Sequence, residues 1–148
     1  MIAIGADHGG YRLKTEILNY LKQKGYQVKD FGTYTETSVD YPDYALIVGN
    51  AVSKGECEKG ILICGTGLGM SIAANKIPGI RAALCNDCYT ARMSREHNNA
   101  NILVLGERVI GTGLALEIVD IWLKSEFVGG RHALRVEKIS KIEKNYME

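Results

Sequence analysis

Short apolar runs alternate with helical patterns along the whole chain. Met1–Ala6, Gln27–Phe31, Gly60–Cys64, Ile80–Cys85 and Ile102–Gly106 are short, mostly apolar on both faces and bounded by glycine or polar residues. That is how strands buried on both sides of a parallel sheet read. Between them, Leu13, Ile17, Leu18 and Leu21 recur at helical spacing, and Lys24-Gly25 supplies a basic last turn and a stop. Tyr44–Lys54, Met70–Lys76, Tyr89–His97 and Thr112–Lys124 predict further helices, the last carrying Leu116, Val119, Ile121 and Trp122. After Gly129-Gly130, the stripe Val136, Ile139, Ile142 and Tyr146 predicts a C-terminal helix whose exposed side suits a partner subunit. Strand–helix alternation of this kind predicts an α/β, three-layer fold. Its five-stranded parallel sheet carries helices on both faces, with the C-terminal helix as an extra element.

Composition narrows the class without changing the fold. The 148 residues are 46% hydrophobic and 24% charged with two prolines, which fits one domain over 1–148 and shows no linker. A formal net charge of +1, with no block of like charge, argues against nucleic acid or an anionic membrane as partner. Gly60–Asn75, the longest stretch without a charge, is broken by four glycines and falls short of the ~20 apolar residues of a membrane span. Asp7 interrupts the first apolar run, so no leader pattern opens the chain, and a cytoplasmic location is expected.

Ligands of open parallel sheets collect beyond the carboxyl ends of the strands. Asp7-His8-Gly9-Gly10 follows the first strand, Cys64-Gly65-Thr66-Gly67-Leu68-Gly69 the third, and Gly106-Glu107-Arg108 the fifth. His97 and Asn98, at the end of the fourth helix, are expected to join them in one polar cluster. Gly65, Gly67 and Gly69 give G-x-G-x-G, which matches neither the dinucleotide fingerprint nor a phosphate-cradling nucleotide loop. The glycines fit a bare strand-to-helix turn, or one whose amides converge to hold an anion. Cys64 at its mouth reads as a buried inert thiol or as a reactive one, since a helix start favours the thiolate. No carboxylate lies between Gly60 and Asn75, so Cys64 is that loop's one candidate base. Arg131 and Arg135, one helical turn apart with His132 beside them, form either a solvated basic face or a phosphate monoester site. Cys85 and Cys88 have redox or half-zinc spacing; Cys57 and Cys64 supply no second pair, which leaves them two ordinary thiols.

Five motifs stand in order: Gly5-Ala6-Asp7-His8-Gly9-Gly10, Asp40-Tyr41-Pro42, Gly65–Gly69 with Ser71–Lys76, Arg95-Glu96-His97-Asn98, and Gly129-Gly130-Arg131-His132. Together they resemble ribose-5-phosphate isomerase type B, in the sugar-phosphate isomerase family that also holds galactose-6-phosphate isomerase subunits. The resemblance implies a cofactor-free, metal-free conversion of ribose 5-phosphate to ribulose 5-phosphate in the pentose phosphate pathway. It also implies a Rossmann-like subunit that forms a homodimer or dimer of dimers, with active sites completed across the interface. On this resemblance Cys64 matches the base between C1 and C2, and Thr66 its hydroxyl partner. The amides of Gly65, Gly67 and Gly69 match the enediolate site. His97 matches the ring-opening residue, with Asp7 near the ring oxygen and Asn98 a further polar contact. His8, Arg108, Arg131 and Arg135 match phosphate-binding positions. One branch of the family places a glutamate base where Met70 stands, which assigns this chain to the cysteine branch. The rival readings are a six-carbon substrate such as allose or galactose 6-phosphate, a sugar-phosphate sensor without catalysis, and a dithiol oxidoreductase built on Cys85 and Cys88.

Overall fold

The computed structural model describes residues 1–147. Its strands are β1 (Ile2–Ala6), β2 (Val28–Asp30), β3 (Lys59–Cys64), β4 (Ala82–Leu84) and β5 (Ile102–Gly106), all parallel in the order β2-β1-β3-β5-β4. The helices are α1 (Tyr11–Gln23), α2 (Tyr41–Ser53), α3 (Leu68–Ala74), α4 (Cys88–Glu96), α5 (Thr112–Lys124) and α6 (Arg131–Asn145). The expected Rossmann-like α/β sandwich is therefore present. No helix is long and apolar enough to cross a membrane among the described residues.

Alternation along each strand sends side chains to two separate cores. Ile2, Ile4, Ile61, Ile63, Leu103 and Leu105 face one side and pack with Leu13, Ile17 and Leu21 of α1 and Ala115, Ile118, Val119 and Trp122 of α5. Ala3, Leu62, Cys64, Ile102 and Val104 face the other, against Ala45, Val48 and Val52 of α2 and Met70 and Ala74 of α3. Met70 is fully buried in that second core.

Element limits depart from the sequence pattern where local chemistry outweighs periodicity. β2 and β4 are edge strands of only three residues, because each pairs on one side alone. Helix α2 begins at Tyr41, three positions ahead of the apolar pattern, since Pro42 is well accommodated in a first turn. Helix α3 spans Leu68–Ala74 and α6 starts at Arg131, five residues before its apolar stripe. The stripe does not dock on its own chain: no α6 residue is buried, and Ile139, Ile142 and Tyr146 are exposed.

Lys14 is the largest departure from an apolar interior. Its side chain is 2% exposed, with Nζ 2.7 and 2.8 Å from the two Asp30 carboxylate oxygens and the Tyr11 and Tyr34 rings 5.7 and 5.3 Å away. Asp30 also accepts from the Gly32 amide at 2.9 Å, so the pair fixes the entry to the 31–40 loop. Lys14→Met leaves that carboxylate half-buried and unpaired. It is expected to lower the unfolding free energy by about 2–3 kcal/mol in urea titration; an unchanged midpoint excludes the pair as a stabilising element.

Candidate active site

The chain moves from β1 out to the β2 edge and then back across to β3, so the winding direction reverses between β1 and β3. The crevice beyond the carboxyl ends at such a reversal is where sheets of this type bind ligands. Asp7 leaves β1 there and Cys64 ends β3 there.

Cys64 is 5% exposed, and the Gly67 N–H donates to its sulfur at 3.2 Å. Gly67 holds φ +83°, and a side chain there would collide with Leu84 and the Leu105 carbonyl, so glycine alone permits the turn. Gly69 has a different reason: the Tyr41 ring of α2 lies against it, where a methyl group would overlap. Neither partner could be read from the G-x-G-x-G spacing. The Thr66 hydroxyl accepts from the Leu68 N–H, at the first residue of α3, at 3.2 Å.

The Asp7 carboxylate is 7% exposed and accepts from the Gly10 N–H at 3.2 Å. A methyl group on Gly9 would lie 3.2 Å from the Gly65 nitrogen and 3.3 Å from Asp7 Oδ1, so these loops touch. The Arg108 N–H donates to the Gly65 carbonyl at 2.9 Å, and a methyl on Gly65 would lie 3.2 Å from Arg108 Nη1. His8 is turned by its Nδ1, which accepts the Val39 N–H at 3.1 Å. Glu107, next to Arg108, accepts the Leu13 N–H of the first turn of α1 at 2.7 Å. That bond anchors the loop after β5, a role the sequence did not signal. Asp7, His8, Cys64–Gly69 and Arg108 thus form one polar edge over a thiol.

His97, Asn98, Arg131 and Arg135 are not at that edge. The turn after α4 precedes β5: Asn101 accepts the Gly60 N–H at the start of β3, at 2.9 Å. Residues 97–101 therefore stand at the amino edge, a strand length or about 13 Å from Cys64. The expectation of a single cluster within one chain fails for His97 and Asn98. Segments that follow strands reach the carboxyl edge, whereas His97 and Asn98 precede one. Buried Arg95 ties this turn together through the Ala100 and Ser125 carbonyls and Asn99 Oδ1. The Val128 N–H donates to the Glu96 carbonyl at 3.0 Å, and the His132 ring stacks on His97. Helix α6 then spans the amino edge until the Glu143 carboxylate accepts the Gly79 N–H at 3.0 and 3.1 Å. Beneath it lies a cleft of about 710 Å³ lined by Pro78, Ala82, Asn98, Ile139, Ile142 and Tyr146.

The remaining cysteines are free thiols, Cys57 and Cys85 buried and Cys88 partly so. Burial pushes the Cys85 thiol up, and burial with the nearby Glu117 carboxylate does the same to Cys88. Both shifts reduce thiolate character. Among the described residues no three His, Cys, Asp or Glu side chains converge as a metal site.

The family model described as Ribose/Galactose Isomerase matches residues 2–139. The chain belongs to that family. Among solved structures of the ribose/galactose isomerase family, ribose-5-phosphate isomerase B of Clostridium thermocellum superposes with a TM-score of 0.98 at 68% identity, covering 99% of each chain. The ribose-5-phosphate isomerase B of Escherichia coli is 53% identical over 142 residues, 96% of this chain and 95% of that one. The D-erythrulose-4-phosphate isomerase of Pectobacterium atrosepticum is 50% identical over 144 residues, 96% and 94% of the two chains.

Proposed function

We propose that this protein is a cofactor-free aldose–ketose isomerase that interconverts D-ribose 5-phosphate and D-ribulose 5-phosphate in the cytoplasm, with Cys64 as base. The observation that carries the reading is the buried Cys64 sulfur at the sheet reversal, with Asp7, the Gly65 loop and Arg108 around its mouth. Family membership supplies the reaction class, and the relatives above supply the phosphorylated sugar.

The chemistry runs in two stages. Ring opening breaks the bond between C1 and the ring oxygen: that oxygen gains a proton from His97, and the C1 hydroxyl gives one up to solvent, from which His97 is reprotonated. Cys64 then carries the C2 proton to C1, while a proton passes from O2 to O1. The enediolate between these events needs donors aimed at its oxygens, and amides of the Gly65–Gly69 turn stand beside the thiol to serve it. Asp7 orients the hydroxyls and Thr66 shapes the loop. Phosphate held by His8, Arg108, Arg131 and Arg135 sets the distance of C2 from the sulfur.

One chain does not assemble this set, since Cys64 and His97 lie at opposite edges. A homodimer in which the amino edge of one subunit covers the carboxyl edge of the other completes two sites by symmetry. Exposed Leu134, Ile139 and Ile142 on α6, Leu68 and Ile72 on α3, and Leu46 and Ile47 on α2 provide apolar surface for that contact.

The deciding assay mixes EDTA-treated protein with ribose 5-phosphate and follows ribulose 5-phosphate. Allose 6-phosphate, galactose 6-phosphate and a four-carbon ketose phosphate run in parallel. Rapid pentose turnover is expected; turnover confined to another chain length renames the substrate and keeps the mechanism. Silence on all of them supports a non-catalytic sugar-phosphate binder. As a further prediction, Arg135→Ala raises KM for ribose 5-phosphate about 30-fold, with little effect on unphosphorylated ribose. Equal effects on both sugars remove Arg135 from phosphate binding.

A further inference from the structure

We infer that His132 is a positioning residue for ring opening, its imidazole fixing the plane in which His97 meets the sugar. The inference rests on the isomerase reading and deepens it. The two rings are 4.0 Å apart between centroids and 7° from parallel. His97 caps the C-terminus of α4, with its backbone N–H on the Met93 carbonyl at 2.8 Å. Among the described residues no hydrogen bond reaches its side chain, so the stack is what orients the ring.

The surrounding chain is built to deliver His132 to that place. Val128 is tied to Glu96, and Gly129 and Gly130, at φ +75° and +58°, turn the chain straight into α6. His132 falls in the first turn, over His97. Arg131 and Arg135 share that end of the helix, so one rigid element presents both the ring-opening imidazole and two phosphate donors. In a furanose 5-phosphate the ring oxygen and the phosphate are attached to adjacent carbons, which is the arrangement such an element matches. Burial first, then His97, Arg131 and Arg135, lower the pKa of His132, which favours its neutral form. A neutral ring can stack on His97 in either of its protonation states without repelling it.

The test separates ring opening from proton transfer. Ribulose 5-phosphate cannot close a furanose ring through its phosphorylated O5, so exchange of its C1 hydrogen with solvent deuterium needs Cys64 but not ring opening. In His132→Ala, kcat for ribose 5-phosphate is expected to fall about tenfold with KM within about twofold, while C1 exchange stays within about twofold of wild type. His132→Phe, which keeps a flat ring on His97, restores most of that kcat. Parallel loss of isomerisation and exchange, no loss of either, or a phenylalanine variant as slow as the alanine one overturns the inference. A wild-type protein that neither isomerises nor exchanges instead overturns the isomerase reading.

Discussion

Cys64→Ala abolishes turnover, with an expected fall in kcat of about 10³-fold or more, the span supplied by a positioned general base. The reason is local: no carboxylate, histidine or tyrosine replaces the thiol in the Gly60–Asn75 segment, and Met70 points into the α2–α3 core. The fold survives, because the side chain lost is small and its one bond is from the Gly67 N–H. Removing a buried group of this size costs about 1 kcal/mol. Cys64→Ser keeps an acceptor for that amide and restores the stability but not the rate. Initial-rate assays with thermal melts on both variants decide the matter, and near-normal turnover in either removes Cys64 as base.

Two inactive variants restore each other when combined in one dimer. Cys64→Ala and His97→Ala are each expected to be inactive as homodimers. In a heterodimer carrying one of each, one site takes its thiol from the second chain and its imidazole from the first, and is intact. The other site carries both lesions. Heterodimers isolated through two different affinity tags should therefore show about half the wild-type rate. The prediction follows from the placement of Cys64 at the end of β3 and of residues 97–101 beside the start of that strand. Absence of recovery, with the heterodimer verified by mass, confines each site to one chain and removes the shared-site arrangement.

The two edges separate residues that follow a strand from residues that precede one. Asp7, Cys64 and Arg108 each follow a strand, and the rule for parallel sheets locates them at once. His97 and Asn98 belong to a helix returning toward the next strand, so the same rule, applied to what precedes a strand, sends them to the other edge. Some motif residues turn out to be architectural. Asn75 bonds both backbone groups of Ala82, at 2.8 and 3.0 Å, and Arg95 ties the turn after α4. Lys14 carried no signal in sequence, because a lysine on a helix reads as solvated until its partner across the fold is known.

Local and periodic features were legible in the chain: five strands, their apolar faces, the helices between them, and a thiol in a glycine turn. These follow from backbone geometry and from side-chain spacing within a few residues. The order β2-β1-β3-β5-β4, the burial of Lys14 against Asp30, the Tyr41 ring on Gly69 and the His97–His132 stack were decided only in the tertiary structure. Each joins residues far apart in the chain. Which distant groups meet depends on how the layers pack, and packing is settled by the whole set of contacts at once rather than by any segment's pattern.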